Sequence, residues 1–391
     1  MPPQRRRSRP GVLGVVALAT DTVDDLVLAT VRDVHAAVAD RAHALTGGMS
    51  ATAAASVRAH AGVAGVVYCG LEAGLRATSR GLRAADRRGI GARVEDSGRG
   101  RVVVSAVNGL LGDRLAEHGS ALAIGLAVRR EGRDVTLEPD ALAEAFPGAT
   151  GDVVVFLHGL GESEDAWSRQ VAGSRASYGS RLAEETTWTP VYLRANTGLP
   201  VAENGAALAS LLDRLVAGWP TPVRRVALVG HSMGGLVMRA ACAVTTDAGP
   251  GWTSLVTDVV TLGTPHLGAP LERGVAAGAR ALGHLPESAP FGRVLEYRSL
   301  GILDLRAGLA RDVANLPRAR YRLVAATLAG SRRHPLSQAL GDLLVGYPSA
   351  TGRPRRGPEM FPGADVLHVR GDHFSLRNHP EVYRALRGWL A

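Results

Sequence analysis

The stretch that most restricts what this chain can fold into is Val226-Ala-Leu-Val-Gly-His-Ser-Met-Gly-Gly-Leu236, an apolar run that ends in Gly-x-Ser-x-Gly and continues with helical spacing. A serine at a sharp strand-to-helix turn sits in a strained backbone conformation. Glycines are needed around it where a Cβ would collide with the neighbouring strand and helix. Gly230 and Gly234 occupy those positions. The hydroxyl of Ser232 then stands clear of the sheet as a nucleophile, and the N–H of Met233 at the helix N-terminus points toward a developing oxyanion. A plain glycine-rich turn is the alternative. Against it stand residues 224–229 and 236–243, which supply the strand and the helix that the turn requires.

Absences narrow the chemistry further. The chain has 391 residues and a net charge of +9, yet contains no lysine. Its arginines are dispersed and no nucleic-acid-binding motif accompanies them, so the charge reads as coding bias and no nucleic-acid partner is expected. Without lysine there is no Walker phosphate loop, no pyridoxal Schiff base and no kinase lysine. Cys69 and Cys242 lie far apart. That excludes a disulfide framework and a cysteine zinc cluster, so neither metal nor cofactor is expected. Cys242 reads as a small core hydrophobe.

Residues 4–10 are basic and residues 11–19 apolar, with Ala17-Leu-Ala19 imitating a cleavage site. Export with removal of residues 1–19 is therefore one reading. The apolar spacing continues unbroken through Val23, Leu26, Val27, Val31, Val34 and Val38, which favours one amphipathic helix and a cytoplasmic protein. No apolar run reaches transmembrane length, because Asp21 and Glu72 interrupt the candidates. Residues 1–145 read as a helical N-terminal region, with helices over 12–44, 51–88 and 102–118 and a hairpin over 121–137 turning at Glu131-Gly132. The region 146–391 reads as a second domain in which strands alternate with helices, the grammar of a mostly parallel sheet. Its strands are expected at 152–157, 190–193, 223–229, 256–262, 321–328 and 365–369. Its helices are expected at 165–185, 201–217 and 235–245, with a helical cap-like insertion over 267–320.

A serine needs a base to take its proton and a carboxylate to orient that base. His373 follows the last expected strand, where a loop can reach back over the sheet; His368, His379 and His334 are placed less well. For the acid, Asp342 leads over Asp365, Asp372 and Asp304, with a loop-capping role as its alternative. The second oxyanion donor must come from Phe156-Leu-His-Gly-Leu-Gly161, with Leu160 N–H partnering Met233 N–H. His231 reads as packing or support.

The segments Leu157-His-Gly-Leu-Gly161, Gly230-His-Ser-Met-Gly-Gly235, Gly263-Thr-Pro-His-Leu-Gly-Ala-Pro270, Arg298-Ser-Leu-Gly-Ile-Leu-Asp-Leu305, Gly341-Asp-Leu-Leu-Val345 and His373 with Asn378-His-Pro380 resemble the bacterial esterase/lipase family of α/β-hydrolases. The Gly263 to Pro270 segment is also similar to that of inositol-deacylase-like lipases. The resemblance spans the chain from Gly151 onward. It implies an α/β-hydrolase fold and carboxylic ester hydrolysis through an acyl-enzyme, with Ser232, Asp342 and His373 as triad. It also implies a loop around His266 that lines the acyl pocket, with Leu267 beside it; His158 is expected near the substrate, supporting its loop rather than reacting. A small-molecule or lipid ester is then the expected partner. Acyl transfer or thioester hydrolysis by the same triad is the first alternative. A lipid-surface binding module built on the N-terminal helices, motivated by the amphipathic 12–38 stretch, is the second.

Overall fold

The fold is that of a computed structural model. It describes residues 94–391 except 169–175, 245–250, 269–298, 308–312, 328–341, 343 and 355, and before residue 94 chiefly residues 76–85, which are helical. The chain divides into one unit of residues 1–96 with 274–298 and another of 97–273 with 299–391. The helix expected over 12–44, most of that over 51–88, the signal-like start and most of the cap-like insertion lie outside the described residues.

The larger unit is built on eight strands: β1 Ala127–Arg130, β2 Arg133–Val135, β3 Asp152–Leu157, β4 Trp188–Arg194, β5 Arg225–His231, β6 Val256–Leu262, β7 Arg320–Thr327 and β8 Asp365–Arg370. Its helices are α1 Gly98–Glu117, α2 Pro139–Ala145, α3 Tyr178–Glu185, α4 Val201–Gly218, α5 Met233–Cys242, α6 Leu300–Ala307, α7 Tyr347–Ala350 and α8 Pro380–Trp389. The strands form one sheet in the order β2-β1-β4-β3-β5-β6-β7-β8. Strands β3 to β8 run parallel, and the β1–β2 hairpin adds an antiparallel edge by pairing with β4.

The alternation of side chains along each strand fills two cores. Val153, Val155 and Leu157 of β3 face one side with Leu208, Leu212 and Leu236 of α4 and α5. Val154 and Phe156 face the other with Leu182 of α3 and Tyr383 and Leu386 of α8. A strand buried on both faces has no polar side to display, which is why β3 and β5 read as continuous apolar runs. Pro190 sits inside β4 without cost to the ladder. Strand β1 pairs only with Tyr192, Leu193 and Arg194, so on that side the first half of β4 is an edge and Pro190 leaves no hydrogen bond unmade.

Two expectations change. The helix expected over 165–185 is not continuous: Glu164–Ser168 is a 3-10 turn, and α3 starts afresh behind Ser177, whose Oγ accepts the Ser180 N–H at 3.1 Å. The boundary expected at 145/146 moves to about residue 97, because the hairpin completes the sheet. Helix α1 belongs there too. Its Gly109 lies so close to the loop after β3 that a Cβ would come within 2.8 Å of Gly161 Cα.

Candidate active site

Strand order reverses around β3, which has β4 on one side and β5 on the other. Such a reversal opens a crevice beyond the carboxyl ends of the strands. The loop from His158 to Gly161 leaves β3 at this point, and Ser232 ends β5 beside it.

Ser232 has φ 52° and ψ −123°. Among the described residues the only other non-glycine with positive φ is Glu131, in the hairpin turn. Such a torsion costs about 1–3 kcal/mol and persists only where the surroundings over-determine it. Here the Ser232 N–H donates to Leu262 O at 2.8 Å and its carbonyl accepts from Gly235 N–H at 3.1 Å. The flanking glycines are mandatory: a Cβ on Gly230 would lie 2.5 Å from Gly235 N, and one on Gly234 would lie 2.5 Å from Leu157 O.

Asp342 and His373 meet against Gly263, the residue after Leu262, whose carbonyl holds the serine N–H. His373 Nδ1 lies 2.7 Å from Asp342 Oδ2, and both side chains are buried. Asp342 Oδ1 accepts the N–H groups of Leu344 at 3.1 Å and Val345 at 2.9 Å, and His373 N–H donates to Asp342 O at 3.0 Å. The aspartate therefore caps its own turn and holds the imidazole at once. Gly263 packs against this pair; a Cβ there would lie 3.1 Å from both Asp342 Oδ2 and His373 Nδ1. With Nδ1 committed to Asp342, Nε2 is the nitrogen left for a reacting hydroxyl. Among the described residues no hydrogen bond joins Ser232 Oγ to His373, a bond that free enzymes commonly hold loose until substrate arrives.

The loop after β3 is pinned around one unused donor. Gly159 N–H donates to Glu162 Oε2 at 3.0 Å and Gly161 N–H to Thr197 Oγ1 at 2.9 Å. Between them, Leu160 N–H meets no acceptor among the described residues, and neither does Met233 N–H at the start of α5. Gly159 lies against the nucleophile, since a Cβ on it would come 3.0 Å from Ser232 Cβ.

The expected pocket residues lie as follows. His158 is fully buried, with Nδ1 on Gly159 O at 2.9 Å and Nε2 accepting Ala195 N–H at 3.1 Å, so it braces the loop and presents nothing to a substrate. Burial holds its pKa below the ordinary histidine range. His266 is likewise buried, contacts Thr261 Oγ1 at 3.2 Å and packs on Phe361. Burial, with Arg239 nearby, pushes its pKa down to about 3. Leu267 is half-buried at the edge of the core, its N–H on Ser349 Oγ at 3.1 Å. Asp304 serves as a helix cap, accepting the Val201 N–H at 2.7 Å.

Sequence reasoning missed Glu162. Burial opposes its charge, yet His231 and Arg377 outweigh that and hold the carboxyl far below the usual range.

Residues 148–277 match the family model described as the PGAP1-like alpha/beta domain. That range holds β3 to β6, the loop after β3 and the serine turn. The parallel sheet and the serine turn within that range have the architecture of the α/β-hydrolase fold. Solved structures similar to this chain include a gene product of Listeria innocua (15% identity, 61% of this chain and 93% of that one, TM-score 0.41). Others are the NocB thioesterase domain from the nocardicin cluster (19%, 62% and 96%, TM-score 0.37) and a Pyrococcus furiosus esterase (16%, 62% and 82%, TM-score 0.37). No curated protein matches this chain. Among its described residues there is no cluster of three or more potential metal ligands, and no helix long and apolar enough to cross a membrane.

Proposed function

We propose that this α/β-hydrolase cleaves carboxylic esters through an acyl-enzyme on Ser232. The observation that carries the reading is the buried 2.7 Å contact of His373 with Asp342 beside a serine held at positive φ. Ser232 Oγ attacks the ester carbonyl carbon as its proton passes to His373 Nε2. Asp342 fixes the tautomer that leaves Nε2 free to accept and steadies the imidazolium that results. The tetrahedral oxyanion takes hydrogen bonds from Leu160 N–H and Met233 N–H. Collapse breaks the bond to the leaving alcohol, which takes the proton from His373. A water molecule then attacks the acyl carbon with His373 as base, releasing the acid and restoring Ser232.

The substrate class is an apolar, lipid-like acyl ester. Phe374, half exposed, stands beside the base with its ring centroid 5.7 Å from that of His373, and Leu300 and Leu303 of α6 are exposed as well. Water is the acyl acceptor; turnover with added glycerol would reveal a transferase instead.

A fluorophosphonate probe tests the chemistry. Wild type forms an adduct located at Ser232 by mass spectrometry, and Ser232→Ala forms none and loses at least about 10³-fold in turnover of p-nitrophenyl esters. Turnover by Ser232→Ala at the wild-type level would end this reading. A preference for acetate over medium-chain esters would end the apolar assignment.

A further inference from the structure

Behind Ser232 lies a second histidine–carboxylate pair that the proposed chemistry leaves unused. His231, the residue before the nucleophile, is 1% exposed. Its Nδ1 lies 3.1 Å from Glu162 Oε2, and its Nε2 lies 3.0 Å from the carbonyl oxygen of His373, to which it donates. The same Glu162 Oε2 accepts the Gly159 N–H, while Oε1 meets Arg377 Nη1 at 2.6 Å. Arg377 closes the circuit by donating from Nε to Phe374 O at 3.2 Å, on the residue that follows the base.

Three segments far apart in sequence thus share one buried set of polar contacts. They are the loop that carries the oxyanion donor Leu160, the serine turn, and the loop that carries His373. Burying an imidazole, a carboxylate and a guanidinium together carries a desolvation cost that apolar packing would avoid. What the polar set adds is direction: three of its bonds end on main-chain atoms of loops that must keep register with Ser232, at Gly159 N, His373 O and Phe374 O.

We propose that Glu162 and His231 are positioning residues, clamping the base loop to the oxyanion loop through the backbone on either side of the nucleophile. The inference rests on the triad reading above.

Full-length Glu162→Gln and His231→Phe proteins test it, the second in case loss of the carboxylate charge beside Arg377 disturbs folding. Both are expected to lose about 10²-fold in kcat on p-nitrophenyl esters with KM nearly unchanged, since a misplaced catalytic group costs rate more than binding. Fluorophosphonate labelling slows in step. Hydrogen exchange read by mass spectrometry adds a measure independent of catalysis. In both variants, peptides covering residues 159–162 and 372–378 exchange faster, while β5 and β6 keep wild-type protection. Wild-type kcat in both variants overturns the clamp. So does a rate loss without the loop-confined change, or exchange that rises equally across the sheet. A wild type inert toward esters and probe, whose variants still show loop-confined exchange, supports the clamp and counts against the ester chemistry.

Discussion

Asp342 does two jobs with two oxygens, and the division predicts how a one-atom change acts. Asn at this position can keep its carbonyl oxygen on the Leu344 and Val345 N–H groups, which leaves its NH₂ facing His373 Nδ1. A donor there selects the tautomer with the proton on Nε2, which cannot accept from Ser232. Asp342→Asn is therefore expected to lower kcat by roughly 10⁴-fold with its melting temperature close to wild type; a kcat within tenfold of wild type would remove Asp342 as the orienting acid. At this scale, legibility follows mechanics. Ser232 was readable because its turn tolerates only glycine at Gly230 and Gly234, and that constraint is written in adjacent residues. Glu162 was not, because its partner His231 is 69 positions away and no local pattern marks a through-space pair. His266 was harder to place for a related reason: beside the serine turn an imidazole reads as a pocket residue, whereas in the fold it is buried against Thr261 and Phe361.

At the scale of elements, apolar runs located the parallel strands, and β6 falls where the sequence predicts it. Glu131-Gly132 likewise announced the hairpin, both residues adopting positive φ. Its docking on β4 was not announced, because strand pairing across 60-odd residues leaves no local trace. The hairpin is fastened by Arg129, whose buried guanidinium bonds Glu164 Oε1 at 2.8 Å, Gly132 O at 2.6 Å and Asp134. Arg101, bonded to Asp165, approaches Glu164 only to 3.8 Å and would shield it weakly. Removing one partner of a buried pair strands the other, at a cost of about 3–5 kcal/mol. Arg129→Ala should lower the unfolding free energy in urea by about 3 kcal/mol; a loss below about 1 kcal/mol would mean that Glu164 finds water or Arg101 instead.

Over the whole molecule the buried histidines set the response to acid. His158 and His266 are both held below the ordinary value of 6.5, chiefly by burial. A depressed histidine contributes stability that is present above its unfolded pKa and lost as pH falls, because the unfolded chain takes up protons that the folded one refuses. The loss should begin below about pH 6.5 at roughly 1 kcal/mol per pH unit for each histidine, and Glu162 adds to it as pH falls through the ordinary carboxylate range. Urea midpoints measured from pH 8 to pH 4 check this; a flat midpoint between pH 7 and pH 4.5 would refute it. The sequence by itself determined the parallel strands and the serine turn, because each is enforced by neighbours in the chain through strand periodicity or the sterics of glycine. Only the tertiary structure decided that α1 and the hairpin belong with the sheet, that His266 is buried against Thr261 and Phe361, and that Glu162, His231 and Arg377 share contacts across three loops. Those outcomes depend on distances and desolvation between residues remote in sequence, and these exist only once the sheet has closed around them.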